Sequence, residues 1–212
     1  MPKIVDHDQR RADIAAAACR AIARSGVERV TMTEIAEEAG YTTGMVTHYF
    51  KKKEAILLAA LGVMRKRAEQ RLAALIQSGS VAVEDIILDV MPIDAARRQE
   101  SAIWLSFWGL VVSDPAFSRI NKAVHKEWVE IFGEIIRYRW PEAQTWPVEV
   151  FEDIRVGLLA VMNGLTVGAM TSPRDYPVTR QRRVIQHYFT MVDAWLSAES
   201  TENAAQTLEK AS

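Results

Sequence analysis

Very little cysteine is the first constraint. The one thiol, Cys19, has no partner in the chain for a disulfide, and it sits among alanines as a small buried residue would. The four histidines, His7, His48, His125 and His187, are scattered without metal-ligand spacing, so no metal site is expected. There is no glycine-rich phosphate loop and no nucleophile elbow. Acidic neighbours such as Glu37-Glu38 and Glu152-Asp153 read as helix-surface charge. Nothing marks an enzyme, and no cofactor is expected. Ten glycines and seven prolines are few for 212 residues, and no run alternates apolar with polar. Both facts exclude a sheet-rich fold and leave an all-α one of about nine helices. The opening residues are polar and charged, which predicts no signal peptide. The apolar stretches are expected to be broken by charge, proline or polar residues before they can span a bilayer. A reducing, cytoplasmic setting without membrane contact follows as the expectation.

What is present begins with charge. Residues 1–67 hold 12 Lys and Arg against 8 Asp and Glu, a net of +4, whereas residues 68–212 hold 14 against 19, a net of −5. A basic front on an acidic body is what binding a polyanion by one end requires. Residues 1–6 read as a loose arm in which Pro2 and Lys3 can trail onto a phosphate. A first helix is predicted from about His7 to Ser25. Ile14, Ala17, Ala18, Ala21 and Ile22 form its apolar face, and Gly26 ends it. Arg10 and Arg11 near its start run against the helix dipole, so they read either as contacts to backbone phosphates or as solvated charge.

The informative stretch is Thr31 to Glu54, TMTEIAEEAGYTTGMVTHYFKKKE. Thr31 and Glu34 make a capping box, with Val30 and Ile35 at staple spacing. Gly40 suits the left-handed position that ends a helix. Thr42 caps a second short helix that carries Met45, Val46, Tyr49 and Phe50 at helical spacing. Two short helices joined by a tight turn form a helix-turn-helix, whose second helix can enter a major groove. Thr31, Thr33, Thr42 and Thr43 offer hydroxyls near helix starts, where N–H groups suit a phosphate. Gly44 permits close backbone approach. Met45, Thr47 and His48 can reach base edges, and Tyr49 can give its hydroxyl to a phosphate. Lys51, Lys52 and Lys53 repel the macrodipole of the helix that follows unless a phosphate lies near.

This stretch resembles the DNA-binding region of the TetR family of bacterial repressors. The match runs through Thr31, Ile35, Ala36, Ala39, Gly40, Thr42, Gly44, His48, Tyr49, Phe50, Lys53 and Glu54. Two positions depart from the family pattern. Thr47 stands where tyrosine is common, and Lys51-Lys52-Lys53 replaces the usual Ser, Asp or Asn cap. The segments TTGMVTHYF and WLSFW, with the Asp-Pro that follows, resemble the choline-responsive, BetI-like branch. The resemblance implies a homodimeric repressor that a small-molecule effector, of unknown identity, releases from a palindromic DNA operator. The alternative is a helical small-molecule-binding protein or enzyme with a degenerate DNA module.

Beyond the module, a fourth helix from about Lys53 past Leu72 connects it to the body. Further helices are expected at Val81–Asp89, Asp94–Ser113, from Pro115 to about Trp140, at Glu149–Thr171 and at Val178–Ala198. Phe117, Ile120, Val124, Trp128, Ile131 and Ile135 form one stripe on the segment from Pro115 to about Trp140. The division predicted is a DNA-binding domain at residues 1–52, an effector-binding and dimerisation domain at 53–198, and a disordered tail at 199–212. Trp104, Phe107, Trp108 and Trp128, with Met162 and Asn163, are the candidate effector lining, and tryptophan faces would suit a quaternary ammonium. Phe151, Ile154, Leu158, Val161 and Leu165 on one helix, and Ile185, Phe189 and Val192 on the next, are the candidate dimer interface, forming a four-helix bundle with a twofold mate.

Overall fold

Glycines at positive φ set three of the helix ends. Gly26 (φ 81°), Gly40 (φ 70°) and Gly79 (φ 64°) take left-handed backbone that a side chain would strain. The computed structural model describes residues 7–79, 81–113 and 115–210. The expected arm with Pro2 and Lys3, the Asp114 turn residue and the side chain of Ile120 lie outside the described residues. Among those described there are nine α-helices, one 3-10 turn and no strand.

Helices α1 (His7–Ser25), α2 (Met32–Ala39) and α3 (Thr43–Tyr49) form the front of the molecule. The capping box closes as the sequence predicts: the Thr31 hydroxyl accepts from Glu34 N at 3.2 Å, and Thr31 N donates to Glu34 Oε2 at 2.7 Å. Thr42 caps α3 by accepting from Met45 N at 3.2 Å. Helix α4 (Lys53–Ser78) then leaves the front and runs into the body. The body holds α5 (Val83–Leu88), α6 (Ala95–Ser113), α7 (Pro115–Arg139), a 3-10 turn at Pro141–Thr145, α8 (Val148–Thr171) and α9 (Val178–Lys210).

The apolar side chains collect in two cores. The first joins Ile14, Ala18 and Ile22 of α1, Ile35 of α2 and Val46 of α3 to Ile56, Leu57, Leu61 and Met64 of α4. Ile103 and Phe107 of α6 and Phe117 of α7 complete it. The second joins Leu72 of α4 to Ile86 and Ile87 of α5, Phe132, Ile135 and Ile136 of α7, Leu158 of α8, and Ile185 and Phe189 of α9. Each of the Ile, Leu, Val, Met and Phe side chains stabilises the fold by about 1.5–3 kcal/mol through burial. Polar ties fix the body's helix ends. Arg98 of α6 donates to the Ala169 carbonyl of α8 at 3.0 Å, Trp140 Nε1 to Asp193 of α9 at 2.7 Å, and Arg182 of α9 to Asp85 of α5 at 2.5 Å. Gly157 leaves room for the Tyr188 hydroxyl, which a Cβ would meet at 2.8 Å. That hydroxyl donates to the Ile154 carbonyl at 2.5 Å, and burial pushes it up to about 12.

Two expectations change. Helix α9 does not stop at Ala198 but continues to Lys210, so residues 199–210 are helical and not a disordered tail. The segment is polar, but it has no glycine or proline and carries three Glu and two Ala, which sustain a helix. Helix α8 is long and apolar enough, by length and composition, to cross a bilayer. No charged residue interrupts it from Val156 to Thr171. Its Ile154, Leu158, Leu165 and Ala169 are nonetheless buried inside the subunit.

The Thr31 N–H and hydroxyl hold Glu34 below its ordinary value of 4.5. A depressed carboxylate contributes stability that is present above its unfolded value and is lost as pH falls through the folded one. Replacing Thr31 by Ala should therefore cost about 1 kcal/mol at neutral pH through loss of the cap. The gap to wild type in urea melts should narrow below about pH 4.5. A gap that stays constant with pH would remove the Thr31 hydroxyl from the Glu34 carboxylate, whose bond from the Thr31 N–H the variant keeps.

Candidate nucleic-acid interface and body cavity

Helix α3 is short, capped and two-sided. Val46 and the following Phe50 are buried in the first core. Thr43, Gly44, Thr47 and His48 are exposed, and their spacing puts them on one stripe. Thr31, Thr33, Thr42, Lys51 and Lys52 are exposed beside it, while Met45, Tyr49 and Lys53 are partly buried. The Thr47 hydroxyl donates to the Thr43 and Gly44 carbonyls, at 3.0 Å each, so its hydrogen is turned into its own helix. The Lys53 ammonium donates to the Glu28 carbonyl at 2.8 Å, so this lysine ties the start of α4 to the loop after α1. Lys52 stands at the N-cap of α4 and makes no side-chain cap.

The start of α1 braces α3. Arg11 donates to the Tyr49 carbonyl at 2.9 Å and lies over the Phe50 ring at 4.5 Å. The Tyr49 hydroxyl meets His7 Nδ1 at 3.0 Å, and Arg10 meets the Met45 sulfur at 3.3 Å. Sequence reasoning offered Arg10 and Arg11 as phosphate contacts or solvated charge; their grip on α3 needed the tertiary fold. On α2, Glu38 takes Arg20 and Arg24 at 2.7 and 2.9 Å, and these two guanidinium groups hold its carboxyl below the ordinary range.

The body contains a cavity of about 120 Å³ between α4, α6, α7 and α8. Of the candidate effector residues, Trp104, Trp108, Trp128, Met162 and Asn163 line it. Trp104 and Trp128 meet edge to face with ring centroids 5.8 Å apart. Phe107 does not line it. That ring is 2% exposed and packs against Phe117 at 5.9 Å in the first core, on a different face of α6 from Trp104 and Trp108. The structure adds Glu100, Asn121, His125 and Thr166 to the lining. Helical offset from the tryptophans would have found them: Glu100 is four residues before Trp104, and Asn121 and His125 are seven and three before Trp128. Among the described lining residues Glu100 is the one carboxylate, and there is no lysine or arginine.

The candidate dimer residues are placed differently from expectation. Ile154, Leu158, Leu165, Ile185, Phe189 and Val192 are buried within the subunit, where α8 and α9 meet each other and the second core. Phe151 and Val161 are half-buried, and Arg137 lies over the Phe151 ring at 5.0 Å. The apolar face left open is another one. Val156, Ala160, Gly164 and Val167 are exposed along α8, and Met191 (64%) and Trp195 (43%) are exposed on α9. The reason is that α8 is apolar on more than one side, and a repeat of 154, 158, 161 and 165 selects the inner side.

The chain is similar to known proteins over most of its length. Residues 14–60 match the model for bacterial regulatory proteins of the tetR family, and residues 81–194 match that for the C-terminal part of BetI-type transcriptional repressors. The chain is 28% identical to the HTH-type transcriptional regulator PksA of Bacillus subtilis, over 89% of this chain and 92% of that one. It is 26% identical to the HTH-type transcriptional regulator BetI of Escherichia coli, over 90% of this chain and 97% of that one. A crystal structure of a transcriptional regulator from Saccharomonospora viridis in complex with choline shares the fold, with a TM-score of 0.73 and 23% identity, over 86% of this chain and 96% of that one.

Phe107 separates packing from lining. Truncating it to Ala should lower stability by about 3–5 kcal/mol in chemical denaturation, as for a fully buried aromatic. A loss under 1 kcal/mol would return Phe107 to the cavity wall.

Proposed function

Because the chain belongs to the TetR family of bacterial regulatory proteins, we propose that this DNA-binding transcriptional regulator is a homodimeric repressor released from a palindromic operator when a small molecule fills the body cavity. The observation that carries the proposal is that α4 leads from the exposed face of α3 to the cavity. The exposed stripe Thr43, Gly44, Thr47 and His48 stands beside Lys51 and Lys52 at the start of α4, and α4 then supplies Met64 and Ala68 to the cavity wall.

On this reading residues 1–52 are the operator module and residues 53–198 the effector and dimerisation body. Thr31, Thr33, Thr42 and Thr43 meet phosphates, with Tyr49 held near the backbone. Gly44 lets the helix approach the groove, and Met45, Thr47 and His48 face bases. With its hydroxyl hydrogen bonded to its own helix, Thr47 turns a methyl outward, which suits the methyl group of a thymine. Lys51 and Lys52 supply sequence-independent attraction, and Lys53 fixes the helix start. Intact caps on α2 and α3 argue against a degenerate module. The three tryptophans and one carboxylate of the cavity favour a small cation, for which choline is the first probe because a protein of this fold has been crystallised with it. Binding DNA places the protein in the cytoplasm.

Replacing Lys51 and Lys52 together by Ala should weaken binding to the DNA upstream of its own coding sequence and to unrelated duplexes alike. The homodimer loses four lysines, so in mobility-shift titrations the slope of log affinity against log salt should fall by about 4. The absence of any salt-sensitive shift by the wild-type protein would overturn the proposal.

The partner face is proposed as the open stripe of α8 and α9. The exposed Gly164, with nothing within 4 Å of a Cβ placed there, allows two helices to approach closely. Met191→Asp together with Trp195→Asp should give a folded monomer in sedimentation equilibrium. A double variant that still sediments as a dimer would place the interface elsewhere.

A further inference from the structure

The cavity's one described carboxylate is already engaged. Both oxygens of Glu100 accept from Arg71 of α4, Oε1 from Nη1 at 3.2 Å and Oε2 from Nη2 at 2.9 Å. This two-pronged fork is the strong geometry for a guanidinium and a carboxylate. The same arginine donates Nε to Asp89 Oδ2 at 2.7 Å. Asp89 is 7% exposed at the end of α5 and is also paired with Arg97, whose Nε donates to the Asp89 carbonyl at 2.7 Å. Asp89 is thus neutralised twice over, by Arg71 and Arg97. Glu100 has Arg71 on one side and the tryptophan-lined cavity on the other.

We propose that Glu100 is the charge-selecting residue of the cavity, and that a bound cation competes with Arg71 for it and thereby loosens the hold of the body on α4. The proposal rests on the cavity being the effector site. A ligand cation against Trp104 lies one helical turn from Glu100, and its charge opposes that of the guanidinium on the same carboxylate. Ligand and Arg71 therefore weaken each other's attraction to Glu100, and by linkage the effect is reciprocal. Arg71 is not stranded when the fork opens, because Asp89 still holds Nε. The change is a partial release and not an expulsion.

The position of Arg71 makes this release matter. It lies between Ala68, which faces the cavity, and Leu72, which enters the second core. A second tie holds α4 further up: Arg65 pairs with Glu127 of α7 at 3.0 Å. Opening the Arg71 fork frees the lower half of α4 from α6 while the upper half stays attached to α7. A helix loosened at one end and held near its middle tilts, and its first turn carries the operator module.

The test uses the full-length protein, choline, and the neutral carbon isostere 3,3-dimethyl-1-butanol, read by tryptophan fluorescence. Arg71→Gln should tighten choline binding about tenfold, and Glu100→Gln should weaken it by about as much. Arg71→Gln should have no effect once Glu100→Gln is present, and the neutral isostere should bind all variants alike. If Arg71→Gln does not fold, Arg71→Lys carries the test, since it keeps the charge, loses the fork and should still tighten choline binding. Choline should also speed amide hydrogen exchange across residues 65–78 of the wild type. Choline binding that Arg71→Gln or Arg71→Lys leaves unchanged or weakens overturns the competition while leaving the effector site in place. Binding with no change in exchange over 65–78 overturns the loosening of α4. A wild-type protein that shifts its operator but shows no choline-dependent fluorescence removes the effector reading, and the inference with it.

Discussion

Neither core of this molecule closes without α4. Ile56, Leu57, Leu61 and Met64 complete the core beneath the recognition helix, Ala68 reaches the cavity, and Leu72 enters the core of the body. All lie on one hydrogen-bonded rod of 26 residues. Packed cores resist gradual deformation, so a displacement at one end of such a rod is carried to the other instead of being absorbed between them. Helices α6 and α7 follow the same plan, with Phe107 and Phe117 in the first core and Trp104, Trp108 and Trp128 at the cavity. The cavity occupies the seam where the two cores meet, which is where filling it moves them most.

Electrostatics divide along the same rod. At its start three lysines face the positive end of the helix dipole, an arrangement that costs free energy in the isolated protein and turns favourable near phosphates. Further along, Arg65 and Arg71 hold the rod to the body through Glu127, Asp89 and Glu100. The two ends of α4 thus answer to opposite partners, a polyanion at the front and the body's carboxylates behind. A cation in the cavity acts on the second set alone.

Features set by neighbours in the chain were legible from the sequence. The Thr31–Glu34 box, the Thr42 cap and the left-handed Gly40 each depend on a few consecutive residues, and the module was readable for that reason. Features set by which side of a helix meets what were not. Helix α8 carries apolar residues around most of its circumference, so its spacing could not tell the inner stripe of Ile154, Leu158 and Leu165 from the outer one of Val156, Gly164 and Val167. Phe107 lies between two tryptophans in sequence but on another face of α6. Glu100 and His125 stand one helical turn before Trp104 and Trp128, a local signal that was there to be used once those rings were taken as lining. The hold of Arg11 on Tyr49 joins residues 38 apart, and no local rule connects them.

Distance between the two recognition modules tests the account most directly. A spin label at Glu37→Cys, exposed on α2, reports it in the dimer by double electron–electron resonance. The buried Cys19 thiol, pushed up to about 11 by desolvation, stays unlabelled. The account predicts that saturating choline shifts or broadens the interlabel distance. A distribution that is the same with the cavity filled and empty would contradict it, because α4 would then carry nothing from the body to the DNA-facing helix.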